Sequence, residues 1–200
     1  MKSCLTILSL SLCLAPLYPA HAAGQATQIQ KALDACYAGK GKCVFDFQGA
    51  RQTIDRTLRI NPQFVVIENA IFDCQMTSGT CLYVSEENMP HATIPIVGRL
   101  QGVTLAGHKN IDGITLNYDV PNDYITDAAI TLSSVAIRGL NHGLVLQNGV
   151  WGVDMFNVVI GEGNIGIYIP PGTKDAGERS TFVGGTIYNN AIAGIDEESS

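Results

Sequence analysis

In five stretches of this chain apolar and polar residues alternate, break step once at a small or amide residue, and then resume. The stretches are Val65–Phe72, Gly98–Leu105, Ile130–Ile137, Val153–Ile160 and Ser180–Ile187, with the break at Asn69, Gly102, Ser134, Asn157 and Gly184, steps of 33, 32, 23 and 27 residues. Period-two alternation turns one set of side chains inward. A Gly, Ser or Asn at the break lets the backbone turn a corner into the next short strand. Recurrence at such intervals means stacked units. A second signature, a glycine followed by alternating apolar residues, comes after most copies: Gly79–Val84, Gly113–Leu116, Gly143–Leu146 and Gly166–Ile169, with a blurred version at Ala193-Gly194-Ile195.

Ahead of the first copy, Ile29, Leu33 and Cys36 fall on one face of a short helix, and a Gly-rich turn at 39–42 leads into an apolar strand from Cys43. A stack of coils needs its first open end covered, and the helix is the natural plug. The pattern predicts an all-β fold: a single-stranded right-handed parallel β-helix, a solenoid with a short N-terminal capping helix. Its hand follows from the general rule for parallel crossovers. A leucine-rich solenoid would need a regular Leu frame, which is missing, and a β-sandwich would not explain a break at one place in every copy. The fifth copy runs into Asp196–Ser200, polar but too short to cover a coil. Either the chain is C-terminally truncated or self-association as a homo-oligomer buries the open C-terminal edge.

Composition narrows the setting. Lys2, an apolar run from Leu5 to Leu14 and Ala20-His21-Ala22 form a secretory signal peptide over residues 1–22, leaving one β-helix domain over 23–200. The run is short for the ~20 residues of a membrane span, and Leu12 before Cys13 makes a poor lipoprotein box. Eleven basic against eighteen acidic residues then remain, net -7, with no basic run. That balance argues against nucleic acid and makes a polyanionic ligand a poorer fit. Cys36, Cys43, Cys74 and Cys81 form two equally spaced pairs. Of three connectivities, local pairing is favoured because each bond would staple a turn in an oxidising, periplasmic or extracellular compartment; a structural metal site is the rival.

With apolar positions inward, the residues between them project outward and stack into rows at about 4.8 Å. One row is Val66, Arg99, Thr131, Asp154 and Thr181, and its neighbour is Glu68, Gln101, Ser133, Phe156 and Val183. Charges, hydroxyls, an amide and an aromatic ring on one strip suit a saccharide-binding groove, and a solvated sheet face is the plain alternative. Asp154 and Glu68 stand three coil steps apart, about 14 Å, beyond the ~6.5–9.5 Å of an inverting glycosidase pair. A second cluster, Asp175, Glu178 and Arg179 in the longest late loop, has Tyr168 and Trp151 near in sequence. Glu178 and Arg179 there are an acid/base and carboxylate-clamp candidate, or a surface ion pair of about 0–1 kcal/mol. His142 reads as a turn residue. No GxSxG, Walker or dinucleotide fingerprint occurs.

The capping helix, Gly-rich turn and strand from Ala32 to Asp73 resemble the N-terminal end of the pectin-lyase-like right-handed parallel β-helices. The run from Gly166 to Asn190, with Ile169-Pro170-Pro171-Gly172 and Gly177-Glu178-Arg179, is similar to pectate-lyase-3-type and phage-tailspike-like chains. That resemblance implies a secreted or surface polysaccharide lyase or hydrolase, with polysaccharide as partner, no membrane contact after signal cleavage, and no cofactor except Ca2+ in the lyase case. It would make Arg99 or Arg179 the proton-abstracting or carboxylate-neutralising group, Asp154 a metal or hydroxyl contact, and Phe156 and Tyr168 stacking platforms, with Gln101 and Glu68 beside them. The polygalacturonase segments are missing, the nearest approach being Asn141-His142-Gly143, and Asp154 with Arg99 falls short of a calcium-lyase cluster. A non-catalytic glycan-binding or structural β-helix, or an inactive remnant, are the other readings.

Overall fold

Each break in alternation is a left-handed corner. In the computed structural model, which describes residues 24–39, 42–85, 98–118, 130–174, 176–177 and 179–198, Asn69, Gly102, Ser134, Asn157 and Gly184 all have φ between 51° and 66°. This conformation favours Gly and Asn over other residues, which is why small and amide residues recur there. The expected signal peptide, Asp175 and Glu178 lie outside the described residues.

Helix α1 (Gln25–Gly39) precedes strands β1 (Cys43–Asp46), β2 (Arg51–Ile54), β3 (Leu58–Ile60), β4 (Val65–Glu68), β5 (Ile71–Cys74), β6 (Gly79–Ser85), β7 (Gly98–Gln101), β8 (Thr104–Ala106) and β9 (Ile111–Asn117). There follow β10 (Ile130–Ser133), β11 (Ala136–Arg138), β12 (His142–Leu146), β13 (Asp154–Phe156), β14 (Val159–Gly161), β15 (Ile165–Ile169), β16 (Thr181–Val183), β17 (Thr186–Tyr188) and β18 (Ala193–Glu197). Every third strand pairs in parallel. Sheet A has the order β1-β4-β7-β10-β13-β16, sheet B β2-β5-β8-β11-β14-β17, and sheet C β3-β6-β9-β12-β15-β18. Three in-register, all-parallel six-stranded sheets make this a right-handed parallel β-helix. Its first coil, β1 to β3, precedes the five copies and turns at Gln48, φ 52°.

Inward rows build the core. Phe45, Ile67, Leu100, Leu132, Met155 and Phe182 stack along sheet A, while Leu58, Leu82, Ile114, Leu144, Ile167 and Ile195 stack along sheet C. The glycine signature has a packing cause. A Cβ on Gly113, Gly143 or Gly166 would come within 2.5, 2.8 or 2.4 Å of the carbonyl oxygen of the next glycine in the row. Gly79 stands outside that row, opposite Ile111, and the register gives its place to Cys81.

The predicted helix closes the N-terminal end, burying Ala26, Ile29, Leu33, Cys36 and Tyr37. Its side chains also occupy the edge backbone. Gln30 Oε1 accepts from the Arg59 amide at 2.8 Å and its Nε2 donates to the Arg59 carbonyl at 3.2 Å. Gln25 Oε1 accepts from the Thr53 amide at 2.7 Å, and the Tyr37 hydroxyl accepts from the Asn61 amide at 2.9 Å. The disulfides pair locally, Cys36–Cys43 pinning the helix to the first coil and Cys74–Cys81 bridging β5 to β6. Two such bonds fit an oxidising compartment. No helix among the described residues is long and apolar enough to cross a membrane.

Candidate functional site

Sheet A carries both rows in the expected order, except that Val66, expected to face outward, is buried at 2% exposure. Strand pairing aligns Val66, Arg99, Thr131, Asp154 and Thr181, and beside them Glu68, Gln101, Ser133, Phe156 and Val183. Strand β1 adds a rung that the repeat did not reveal, with Val44 and Asp46 heading the two rows. The rows share a face because the corner residues fix the same phase of alternation in every coil.

At the N-terminal half of the face, Arg99 Nη2 lies 2.6 Å from Glu68 Oε1. Arg99 stands opposite Val66 and Glu68 opposite Gln101, so the pair forms on the diagonal between adjacent strands, within reach of long side chains. Both members are partly solvated, which keeps the pair's contribution to about 0–1 kcal/mol. Its chemical consequence is larger: the guanidinium is charge-matched before any ligand arrives. Asp46 Oδ1 accepts from the Gln48 amide at 2.9 Å and from Asn69 Nδ2 at 3.0 Å, and these bonds hold its carboxyl below the usual carboxylate range.

The C-terminal half of the face differs in character. Phe156 is 39% exposed although it sits on a sheet, Val183 follows it in the row, and Asp154 lies on the same strand between Thr131 and Thr181. Trp151, three residues before Asp154, packs partly against the core, and the Arg179 guanidinium stands 5.6 Å from its ring centroid. Arg179 lies two residues before β16 and Trp151 three before β13, so both belong to the turns that feed this face. An exposed ring, one carboxylate and flanking hydroxyls can stack on and hydrogen-bond a polar ligand with apolar faces.

Tyr168 is elsewhere. It lies on β15 in sheet C, stacked on His142 at 4.3 Å between ring centroids, and its hydroxyl donates to Glu198 Oε2 at 2.8 Å. That bond, with burial and the Glu198, Asp196 and Asp112 carboxylates, pushes the phenol up from its ordinary value. His142 opens β12 and holds Asp112 Oδ1 at 2.9 Å from Nδ1, so it takes part in a side-chain network. Asn141 donates to Asp112 at 3.1 Å and accepts from Asn164 Nδ2 at 2.8 Å, extending that network across coils. The repeat pattern does not bring this group together, because its members come from three coils. The spacing of His142 and Asp112, both adjoining the glycine signature, was the available signal.

Among the described residues no three of His, Cys, Asp and Glu converge as a metal site. Asp154 brings one carboxylate with Thr131 and Thr181 hydroxyls, a donor set well short of the about six to eight oxygens calcium takes. Among the described residues of this strip, that set by itself does not make up a calcium site. Compared with known proteins, the chain matches no protein-family model and no curated sequence.

Proposed function

We propose that this chain is an exported β-helix protein whose sheet A face binds an extracellular polysaccharide. The observation that carries the reading is the exposed Phe156 ring, set in register between Ser133 and Val183 on a parallel sheet, beside the row of Thr131, Asp154 and Thr181. A sugar ring would stack on Phe156, Asp154 would accept from its hydroxyls, and Thr131, Ser133 and Thr181 would both donate and accept. The charged side chains of the two rows are Asp46, Glu68, Asp154 and Arg99, an excess of negative charge. A neutral glycan is favoured over a polyuronate. Export is supported by the leader-like N-terminus and by the two disulfides.

A polysaccharide lyase or hydrolase of the pectin-lyase-like kind is the second reading, supported by the solenoid fold and the Arg179 side chain on Trp151. Fold alone gives no chemistry. In a lyase, Arg99 would have to leave Glu68 to neutralise a substrate carboxylate. Incubation with neutral and acidic polysaccharides, followed by retention, by the ultraviolet absorbance of unsaturated ends and by release of new reducing ends, separates the readings. Retention without cleavage supports binding, new absorbance supports a lyase, new reducing ends without absorbance support a hydrolase, and none of these on any glycan removes both readings.

A further inference from the structure

We propose that His142 and Asp112 form an acid/base dyad on sheet C that hydrolyses uncharged acyl esters, a site separate from the sheet A face. Asp112 on β9 and His142 on β12 come from adjacent coils inside the stack, each two residues before the paired Ile114 and Leu144. Asp112 Oδ1 lies 2.9 Å from His142 Nδ1, and the Asn141 amide donates to that same oxygen at 3.1 Å. A carboxylate at Nδ1 keeps the ring proton there and leaves the lone pair on Nε2. Asn141 Nδ2 is 3.2 Å from Nδ1 and 3.5 Å from Nε2, which places it over the ring and out of line with the Nε2 lone pair. Among the described residues no other group bonds Nε2. The ring plane is held as well, since Tyr168 stacks on it at 4.3 Å and 23°. The imidazole and the carboxylate are 19% and 29% exposed, sheltered but open to water. Three coils thus fix one imidazole in place and in tautomer with its basic nitrogen free, as general-base catalysis requires.

The surrounding groups select the reaction. Glycoside hydrolysis needs two carboxyl groups free to act as acid and base, whereas Asp112 is committed to His142 and Glu198 to the Tyr168 hydroxyl. Elimination from a uronate needs a cation to neutralise the substrate's carboxylate. Here Asp112, Asp196 and Glu198 stand close enough to Tyr168 to push its phenol up, and they would repel such a substrate. Among the described residues no Ser, Thr or Cys side chain bonds His142, so the nucleophile is water. Attack of water on an acyl ester asks for a single acid/base group. Nε2 takes a proton from water as the water oxygen bonds to the acyl carbon. The tetrahedral intermediate collapses, the bond to the alcohol oxygen breaks, and that oxygen receives the proton from Nε2. A carboxylic acid and an alcohol leave, and the imidazole is neutral again. An uncharged ester suits these surroundings, and its carboxylate product is repelled from them.

Hydrolysis of p-nitrophenyl acetate by the full chain tests the dyad. Turnover should exceed that of free imidazole at the same concentration and fall about 10²-fold in His142→Gln. It should persist in His108→Ala, whose ring bonds the Met76 carbonyl outside the cluster. Asp112 is a positioning residue, so Asp112→Asn should lower kcat with little change in KM. Nitrogen resonances of the His142 ring in the unmodified chain should show the proton on Nδ1, and Asp112→Asn should remove that preference. A rate no higher than that of free imidazole overturns the proposal, as does a rate that survives His142→Gln or a ring proton resident on Nε2. The first and last of these are read on the unmodified chain and need no variant to fold. Glycan retention plays no part in the assay, so this proposal and the sheet A reading fail separately.

Discussion

At the scale of single residues, the fold rests on positions where a side chain is either required or excluded. Gly143 is excluded territory: a Cβ there would lie 2.3 Å from Ile160 Cγ2 and 2.8 Å from the Gly166 carbonyl. Gly143→Ala therefore forces the coils apart, and we expect a loss of about 1–3 kcal/mol, read as a lower urea midpoint. An unchanged midpoint would mean that the rows are not packed as described. Tyr37 sets an alkaline limit. Burial is the first cause raising its phenol well above the ordinary value, opposed by the bond from the Asn61 amide. Its folded pKa lies above the unfolded value of about 10, so its contribution is intact below that value and is lost as pH rises, when only the unfolded chain sheds the proton. Denaturation midpoints should decline above pH ~10, and Tyr37→Phe should remove part of that decline.

Among elements, α1 illustrates why a solenoid needs an end piece. It covers the first coil's apolar layer, and its glutamines substitute for a missing strand by pairing with Arg59 and Thr53. Cys36–Cys43 keeps it in place. Replacing both cysteines by Ala should lower stability by about 2–3 kcal/mol. It should speed amide exchange first in β2 and β3, leaving β11 and β14 protected. Uniform loss of protection would contradict the cap's local role. The corners, the strand phase and the helix face were legible in the sequence because left-handed backbone, alternation and amphipathicity each restrict residue type. Of the first coil only the strand from Cys43 was, because its corner falls at Gln48, which carries no small-residue signal. Gly79 was misleading for the opposite reason: a glycine beside the right pattern, displaced from the row in which Cys81 stands.

On the scale of the whole molecule, stacking converts a linear repeat into a face, and that face is where function is argued. The order of residues along both outward rows was legible, since register follows from the corners. What the sequence did not reveal was which sheet a strand joins and which neighbours meet across coils. Tyr168 therefore separates from Phe156 by belonging to the third strand of its coil, and Glu68 meets Arg99 only on the diagonal. The two substituents proposed for stacking thus serve different faces. Phe156→Ala should weaken glycan binding while Tyr168→Ala leaves it within about two-fold, a difference that equilibrium retention can resolve.

The sheet A face is tested most directly by equilibrium binding of the unmodified chain, Phe156→Ala and Asp154→Asn to a panel of neutral and acidic polysaccharides. We predict retention on a neutral glycan, with each substitution weakening it about ten-fold or more, equivalent to about 1.4 kcal/mol, and no change in urea midpoint. Binding that is undiminished in both variants, or no binding to any polysaccharide, would contradict the assignment of this face.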